Sequence, residues 1–212
     1  MRFKTLIGKI HLWLGLSSGL VVFIISVTGC IYVFEKELKN VFQAKYQFVD
    51  IPIDGKELCA SELILIAETS LDNTLQANAI VKRPNGRATF VQFYKSLESN
   101  ETNLFTWYGN SLDYYYRVFL DPQTGEILKL ENSKWEFFNV VENIHTSLLL
   151  GPIGNEIVSI SVLIFVLMLV TGLILWWPKN RKALKMRTWF SWKKSTKWRR
   201  KNYDIHQIPG IY

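Results

Sequence analysis

Long stretches of this sequence lack charge. Ile10 to Phe34 contains no Asp, Glu, Lys or Arg over 25 residues, and Ile157 to Trp177 contains none over 21. At about 1.5 Å of rise per helical residue, 21 residues reach roughly 31 Å, the thickness of a bilayer's hydrocarbon core. Burying two such runs in a soluble protein needs a large domain around each, and 212 residues are too few. Acidic residues are missing elsewhere. The first nine residues carry Arg2, Lys4 and Lys9 and no acid, and Pro178 to Tyr203 carries eleven basic residues and no acid. Cysteine is scarce. Cys30 falls inside the first apolar run and Cys59 between the two. No internal disulfide is expected, so the intervening domain must hold through its core alone. Several catalytic signatures are absent as well. No HExxH, HxxxH or Cys/His cluster supports a zinc site. Neither a GxSxG nucleophile elbow nor a phosphate-cradling glycine loop occurs.

What is present organises itself around the two apolar runs, which both read as transmembrane helices. The first is longer than a signal-peptide core of about 7–15 residues and no A-x-A site follows it, so it reads as a retained anchor. The segment between them, Glu35 to Ile144, has 11 basic and 16 acidic residues. The positive-inside rule then keeps both basic stretches in the cytoplasm and exports the middle. The net charge of +7 is therefore a topogenic feature that favours the lipid bilayer, not a nucleic-acid footprint.

The expected fold class is an integral membrane α-helical protein with an inserted, exported α+β domain of antiparallel sheet plus helix. The expected divisions are a basic cytoplasmic N-terminus over 1–9, a first membrane helix over 10–34 and the exported domain over 35–133. An amphipathic approach helix and turn follow over 134–154, a second membrane helix over 155–177 and a basic cytoplasmic segment over 178–204. Within the exported domain, Cys59 to Ser70 reads as an amphipathic helix. Strands are expected at Ala79–Val81, Ala88–Tyr94, Leu104–Trp107, Tyr114–Leu120 and Glu126–Leu130. Turns are expected at Pro84-Asn85-Gly86 and Asp121–Gly125. Lys134 to Leu150 reads as one amphipathic helix, interrupted by Gly151-Pro152-Ile153-Gly154, with Asn155 capping the second membrane helix. Residues 205–212 read as the start of a third membrane helix, cut short because so few residues, one of them proline, cannot cross a bilayer.

The first membrane helix has a stripe of small residues at Gly15, Ser18, Gly19, Ser26, Gly29 and Cys30. Such a face lets another helix, or a flat cofactor, approach closely. All three histidines, His11, His145 and His206, fall at membrane boundaries. His11 and His206 share the pattern I-H-x-x-x-G-apolar, each after a basic segment. Two neutral imidazoles on facing helices can hold a b-type haem. The plain alternative is three histidines hydrogen-bonding at an interface.

At this point the chain resembles the PepSY-associated transmembrane proteins, the iron-regulated proteins of bacterial inner membranes. The matching stretches are KIHLWLGLSSGLVVFIISVTGCIYVFEKEL (Lys9 to Leu38), VFLDPQTGEIL (Val118 to Leu128), ENIHTSLLLGPIGNEIV (Glu142 to Val158), VTGLILWWPK (Val170 to Lys179) and YDIHQIPGIY (Tyr203 to Tyr212). The resemblance implies a PepSY-like exported, periplasmic domain on a multi-pass protein with its N-terminus in the cytoplasm. It implies a haem b reductase that passes electrons to a ferric siderophore, with quinol or a partner protein as donor. His11 and His206 would be axial ligands to the haem iron, and His145 a ligand or electron-exit residue. Trp107, Tyr114, Tyr115 and Tyr116 are candidates for the substrate surface. The alternative it allows is a non-enzymatic membrane-anchored PepSY module that binds or regulates an exported peptidase. A weaker alternative is a structural subunit of a transport complex.

Overall fold

The computed structural model describes residues 3–50, 56–84, 86–97, 105–178, 180, 184, 187–190 and 192–211. Two helices dominate it, α1 (Phe3–Val33) and α7 (Gly151–Trp176). Their 31 and 26 residues give lengths of about 46 and 39 Å. Both are long and apolar enough to cross a membrane. Much of their apolar surface is uncovered by protein, including Leu16 at 72% and Leu163 at 63% exposure. Such helices are stable in a bilayer, where each backbone group is bonded within its own helix and the side chains meet lipid.

Between them lie α2 (Glu35–Phe42), α3 (Ala44–Gln47), α4 (Ala60–Thr69), β1 (Ala79–Val81) and β2 (Thr89–Ser96). There follow α5 (Tyr108–Ser111), β3 (Leu112–Leu120), β4 (Ile127–Asn132), a 3-10 turn (Ser133–Trp135) and α6 (Phe137–Ser147). After α7 come α8 (Trp198–Gln207) and a 3-10 turn at Pro209–Ile211. The chain divides into two compact units, Phe23–Ser159 and Met1–Val22 with Ile160–Tyr212.

In the unit Phe23–Ser159 the strands form one antiparallel meander, β1-β2-β3-β4. Side chains alternate between the faces of a strand. Val91 and Phe93 of β2 and Val118 and Leu120 of β3 therefore share one face, and all are fully buried. Helix α4 covers that face with Leu63 and Ala67, one helical turn apart and also fully buried. Its first turn is fixed by Glu62, whose carboxylate accepts the Cys59 backbone N–H at 2.9 Å. That bond holds the Glu62 carboxyl below its ordinary pKa. The turn from Asp121 to Gly125 is pinned by Asp121 Oδ1, which accepts from the N–H of Gln123 (2.8 Å) and Thr124 (3.1 Å). Cys30 and Cys59 are free thiols.

Several expectations need correction. No strand forms at Phe105 to Trp107, and Leu104 lies outside the described residues. So do Asn85 of the expected Pro84–Gly86 turn and Lys179, Arg181, Lys182 and Lys185 of the basic stretch. Lys134 to Leu150 is not one helix. Lys134 and Trp135 sit in a 3-10 turn, and α6 starts only after Glu136, whose carboxylate accepts from Phe138 and Asn139 N–H at 3.1 Å. The break before the second long helix comes at Leu148, Leu149 and Gly151, all at positive φ. Helix α7 then begins at Gly151, with Pro152 in the first turn where its missing N–H costs nothing. Asn155 is thus inside the helix and not its cap. Helix α8 begins at Trp198, so the helical segment carrying His206 starts ahead of Ile205. Helices α2 and α3, which were not among the expected elements, occupy most of residues 35–47.

Candidate functional site

The unit of residues 1–22 and 160–212 packs the start of α1 antiparallel to the end of α7. Lys4 Nζ donates to the Trp177 carbonyl (3.5 Å), and a Cβ on Gly8 or Gly15 would meet Leu175 or Met168. Arg187 closes the C-terminus of α7, donating to the carbonyls of Trp176 and Trp177. A cation there satisfies the orphan carbonyls and the negative helix end.

His11 lies in the middle of this pairing, with Nδ1 2.9 Å from the Thr171 hydroxyl oxygen. The Thr171 hydroxyl is also within bonding distance of the Leu167 and Met168 carbonyls, at 3.0 and 3.1 Å. Carbonyls only accept, so the Thr171 proton goes to them and Oγ1 accepts from His11 Nδ1–H. The lone pair of His11 is then on Nε2, the form that binds a metal. Gly172 makes room for the ring: a Cβ there would lie 3.3 Å from His11 Cε1.

His206 is on α8, exposed, with its ring centre 6.2 Å from that of His11 and the planes at 70°. Asp204 anchors this helix. Its buried carboxylate accepts from Trp192 Nε1 (3.1 Å) and pairs with Arg200 (3.0 Å). Two donors of the same unit, Trp176 Nε1 and Gln207 Nε2, are buried without a partner among the described residues. Trp176 is one turn beyond Gly172 on α7, and Gln207 adjoins His206.

In the other unit, His145 of α6 rests against α1. Its Nδ1 is 2.8 Å from the Ile25 carbonyl oxygen and 3.3 Å from the Thr28 hydroxyl. The carbonyl can only accept, so Nδ1 carries the proton and Nε2 again holds the lone pair. Gly29 is needed here, because a Cβ would come within 2.9 Å of His145 Cε1. His145 and His11 are thus each held at the same tripeptide, Val27-Thr28-Gly29 for His145 and Val170-Thr171-Gly172 for His11. The repeated VTG was the available sequence signal for Thr28, Thr171 and Gly172, which reading the histidines alone missed, whereas Gly29 stood out in the small-residue stripe. The small-residue stripe resolves into separate contacts: Gly15 meets Met168, Gly29 meets His145, and Gly19 faces open space.

The ring centres of His11 and His206 are 6.2 Å apart, the spacing that two imidazoles on one iron would take. Metal–imidazole bonds of about 2 Å put ring centres on the order of 6 Å apart. Among the described residues no group of three or more His, Cys, Asp or Glu side chains forms a metal cluster. Of the aromatic candidates, Tyr114 and Tyr116 stack on each other (6.4 Å, 14°) and support the core. Tyr115 accepts from Arg117 and meets Tyr94 edge-on, and Trp107 is exposed.

No curated protein matches the chain. The family described as the PepSY-associated TM region matches it over residues 9–212. With two membrane-length helices, an antiparallel α+β unit and that match over nearly its whole length, the chain is a membrane-anchored member of the PepSY-associated transmembrane family.

Proposed function

We propose that this protein is an inner-membrane component of bacterial iron acquisition, a b-haem-dependent reductase or part of one. It would take electrons from quinol or a donor protein and deliver them to a ferric chelate, such as a siderophore, on the exported side. The observation that carries this reading is the pairing of His11 with His206 at 6.2 Å. His11 and His206 would hold the iron, and a haem bound there supplies reversible one-electron exchange. Thr171 keeps the His11 proton on Nδ1 and so presents Nε2. Gly172 gives the ring its space. His145 offers a third imidazole lone pair at Nε2, a ligand or an exit residue. The charge asymmetry favours a multi-pass topology with the N-terminus in the cytoplasm and the inserted α+β domain outside.

An absorption spectrum of the purified protein from haem-replete cells, before and after dithionite, tests the reading. A b-type α-band that His11→Ala and His206→Ala each remove is expected. Its absence from the parent protein sinks the proposal and leaves the non-enzymatic reading, a PepSY module that binds an exported peptidase.

A further inference from the structure

The sheet face opposite α4 carries a second feature, wholly within the unit Phe23–Ser159. Phe90 and Phe119 are register partners across β2 and β3. Their rings are 5.5 Å apart, and Tyr46 meets Phe119 at 5.0 Å. Guanidinium groups gather on this aromatic floor. Arg83 lies 5.4 Å from the Phe90 ring centre and 5.5 Å from that of Phe119, and Arg117 lies 5.3 Å from Phe90. Arg87 reaches the same cavity while stacked 4.7 Å from Phe48. The cavity, about 220 Å³, is lined by these three arginines, Lys36, Lys39 and a single carboxylate, Glu35. Glu35 is already taken by Lys39 at 2.6 Å, and Lys39 also meets Glu136 at 3.5 Å.

The arginines are partly satisfied. Arg83 donates from Nε to the Ala88 carbonyl (2.8 Å) and from Nη1 to Gln47 Oε1 (2.5 Å). Arg117 donates from Nη2 to the Tyr115 hydroxyl. Arg87 donates from Nη2 to Asn40 Oδ1 (3.0 Å). Arg83 Nη2 and Arg117 Nε remain buried with no acceptor among the described residues. A buried donor without an acceptor is costly, more so on a charged group. Burial, then Arg87 and Arg117, lower the Arg83 pKa to about 10, so it is still a cation at neutral pH. Crowded cations with free N–H groups and no spare carboxylate become favourable when an oxyanion arrives.

We propose that this cavity binds a phosphoryl group, whose oxygens accept from Arg83 Nη2 and Arg117 Nε. Several terminal oxygens on one tetrahedral centre suit several guanidinium groups approaching from different directions. Helix α2, which supplies Glu35, Lys36, Lys39 and Asn40, starts just after the membrane helix ends at Val33. The same stretch exposes Val33, Phe34, Val41 and Phe42, as a segment at the lipid interface does. The phosphoryl group can therefore come from an anionic lipid headgroup or from a soluble phosphate.

The test uses the full chain. In neutral detergent it is titrated with inorganic phosphate and followed by thermal melting. In nanodiscs it is compared in phosphatidylcholine alone and with phosphatidylglycerol added. A saturable rise in melting temperature with phosphate assigns a soluble source, and a rise only with phosphatidylglycerol assigns a lipid. Either response must weaken about tenfold or more in Arg83→Gln and Arg117→Lys, which lose a charge-assisted hydrogen bond. Arg117→Lys keeps charge and much of its volume, so it reports even if Arg83→Gln does not fold. Lys45→Gln, which removes an exposed charge outside the cavity, must leave the response within about twofold. No response to either probe, or an equal loss in Lys45→Gln, overturns the proposal.

Discussion

His145 hangs from the backbone of α1, its Nδ1–H donated to the Ile25 carbonyl oxygen at 2.8 Å. The contact works because Gly29, one helical turn on, has no side chain to hold the ring away.

Gly29→Ala therefore runs against the usual rule for helices. Alanine in place of a helical glycine ordinarily adds up to about 1 kcal/mol. Here the new methyl meets His145 Cε1 at 2.9 Å, and the expected outcome is a loss of about 1–3 kcal/mol from overpacking. Gly19→Ala is the comparison, since nothing lies within 4 Å of its Cβ. Melting curves of the two variants in detergent check this, and equal stabilities would count against the His145 contact.

Thr171→Val removes the oxygen that accepts from His11 Nδ1–H while keeping the side chain's shape. The bond lost is worth about 0.5–1.5 kcal/mol. Nitrogen NMR of labelled histidine is expected to show Nδ1–H at His11 in the parent protein and a tautomer mixture in the variant. A parent spectrum with the proton on Nε2 contradicts the assignment.

Leu63→Ala cuts the core where α4 meets the sheet. Leu63 is fully buried against Val91, Phe93, Val118 and Leu120. A cost of about 2–5 kcal/mol is expected. Hydrogen exchange resolved by peptide should rise over α4 and β2 first, and unchanged protection there contradicts the packing.

Tyr46 sets an alkaline limit on stability. Burial first, then the Glu131 carboxylate that accepts from its hydroxyl at 3.1 Å, raises its pKa above the ordinary tyrosine value. A raised folded pKa means the contribution is complete below the unfolded value of about 10 and is lost as pH climbs beyond it. Tyr115 and Tyr108, both raised mainly by burial, add to the same trend. Stability should fall above about pH 10, and less steeply in Tyr46→Phe. Parallel pH–melting curves for the two proteins would remove Tyr46 from the account.

Much of this was legible in the residues. The uncharged runs mark both long helices because a bilayer-spanning segment has no room for charge at its centre. The alternation of Val91 and Phe93, and of Val118 and Leu120, marks half-buried strands, and Asp121-Pro122-Gln123-Thr124-Gly125 encodes its own turn. The expected Lys134–Leu150 helix is realised only over Phe137–Ser147, for a local reason. Glu136 caps a helix that starts at Phe137, and capping competes with apolar periodicity at that point. The candidate histidines were visible as a set, but their partners were not, because Thr28, Gly29, Thr171 and Gly172 are far from them in sequence.

The sequence by itself determined the membrane-length helices, the α+β class of the segment between them and the family. These depend on local composition, period two or 3.6, and ordered motifs. Only the tertiary structure decided which nitrogen of His11 and of His145 carries the proton, that His206 comes within 6.2 Å of His11, and that Arg83, Arg87 and Arg117 converge on one aromatic floor. Those facts follow from helix pairing and strand register, which bring together residues whose separation along the chain carries no local signal.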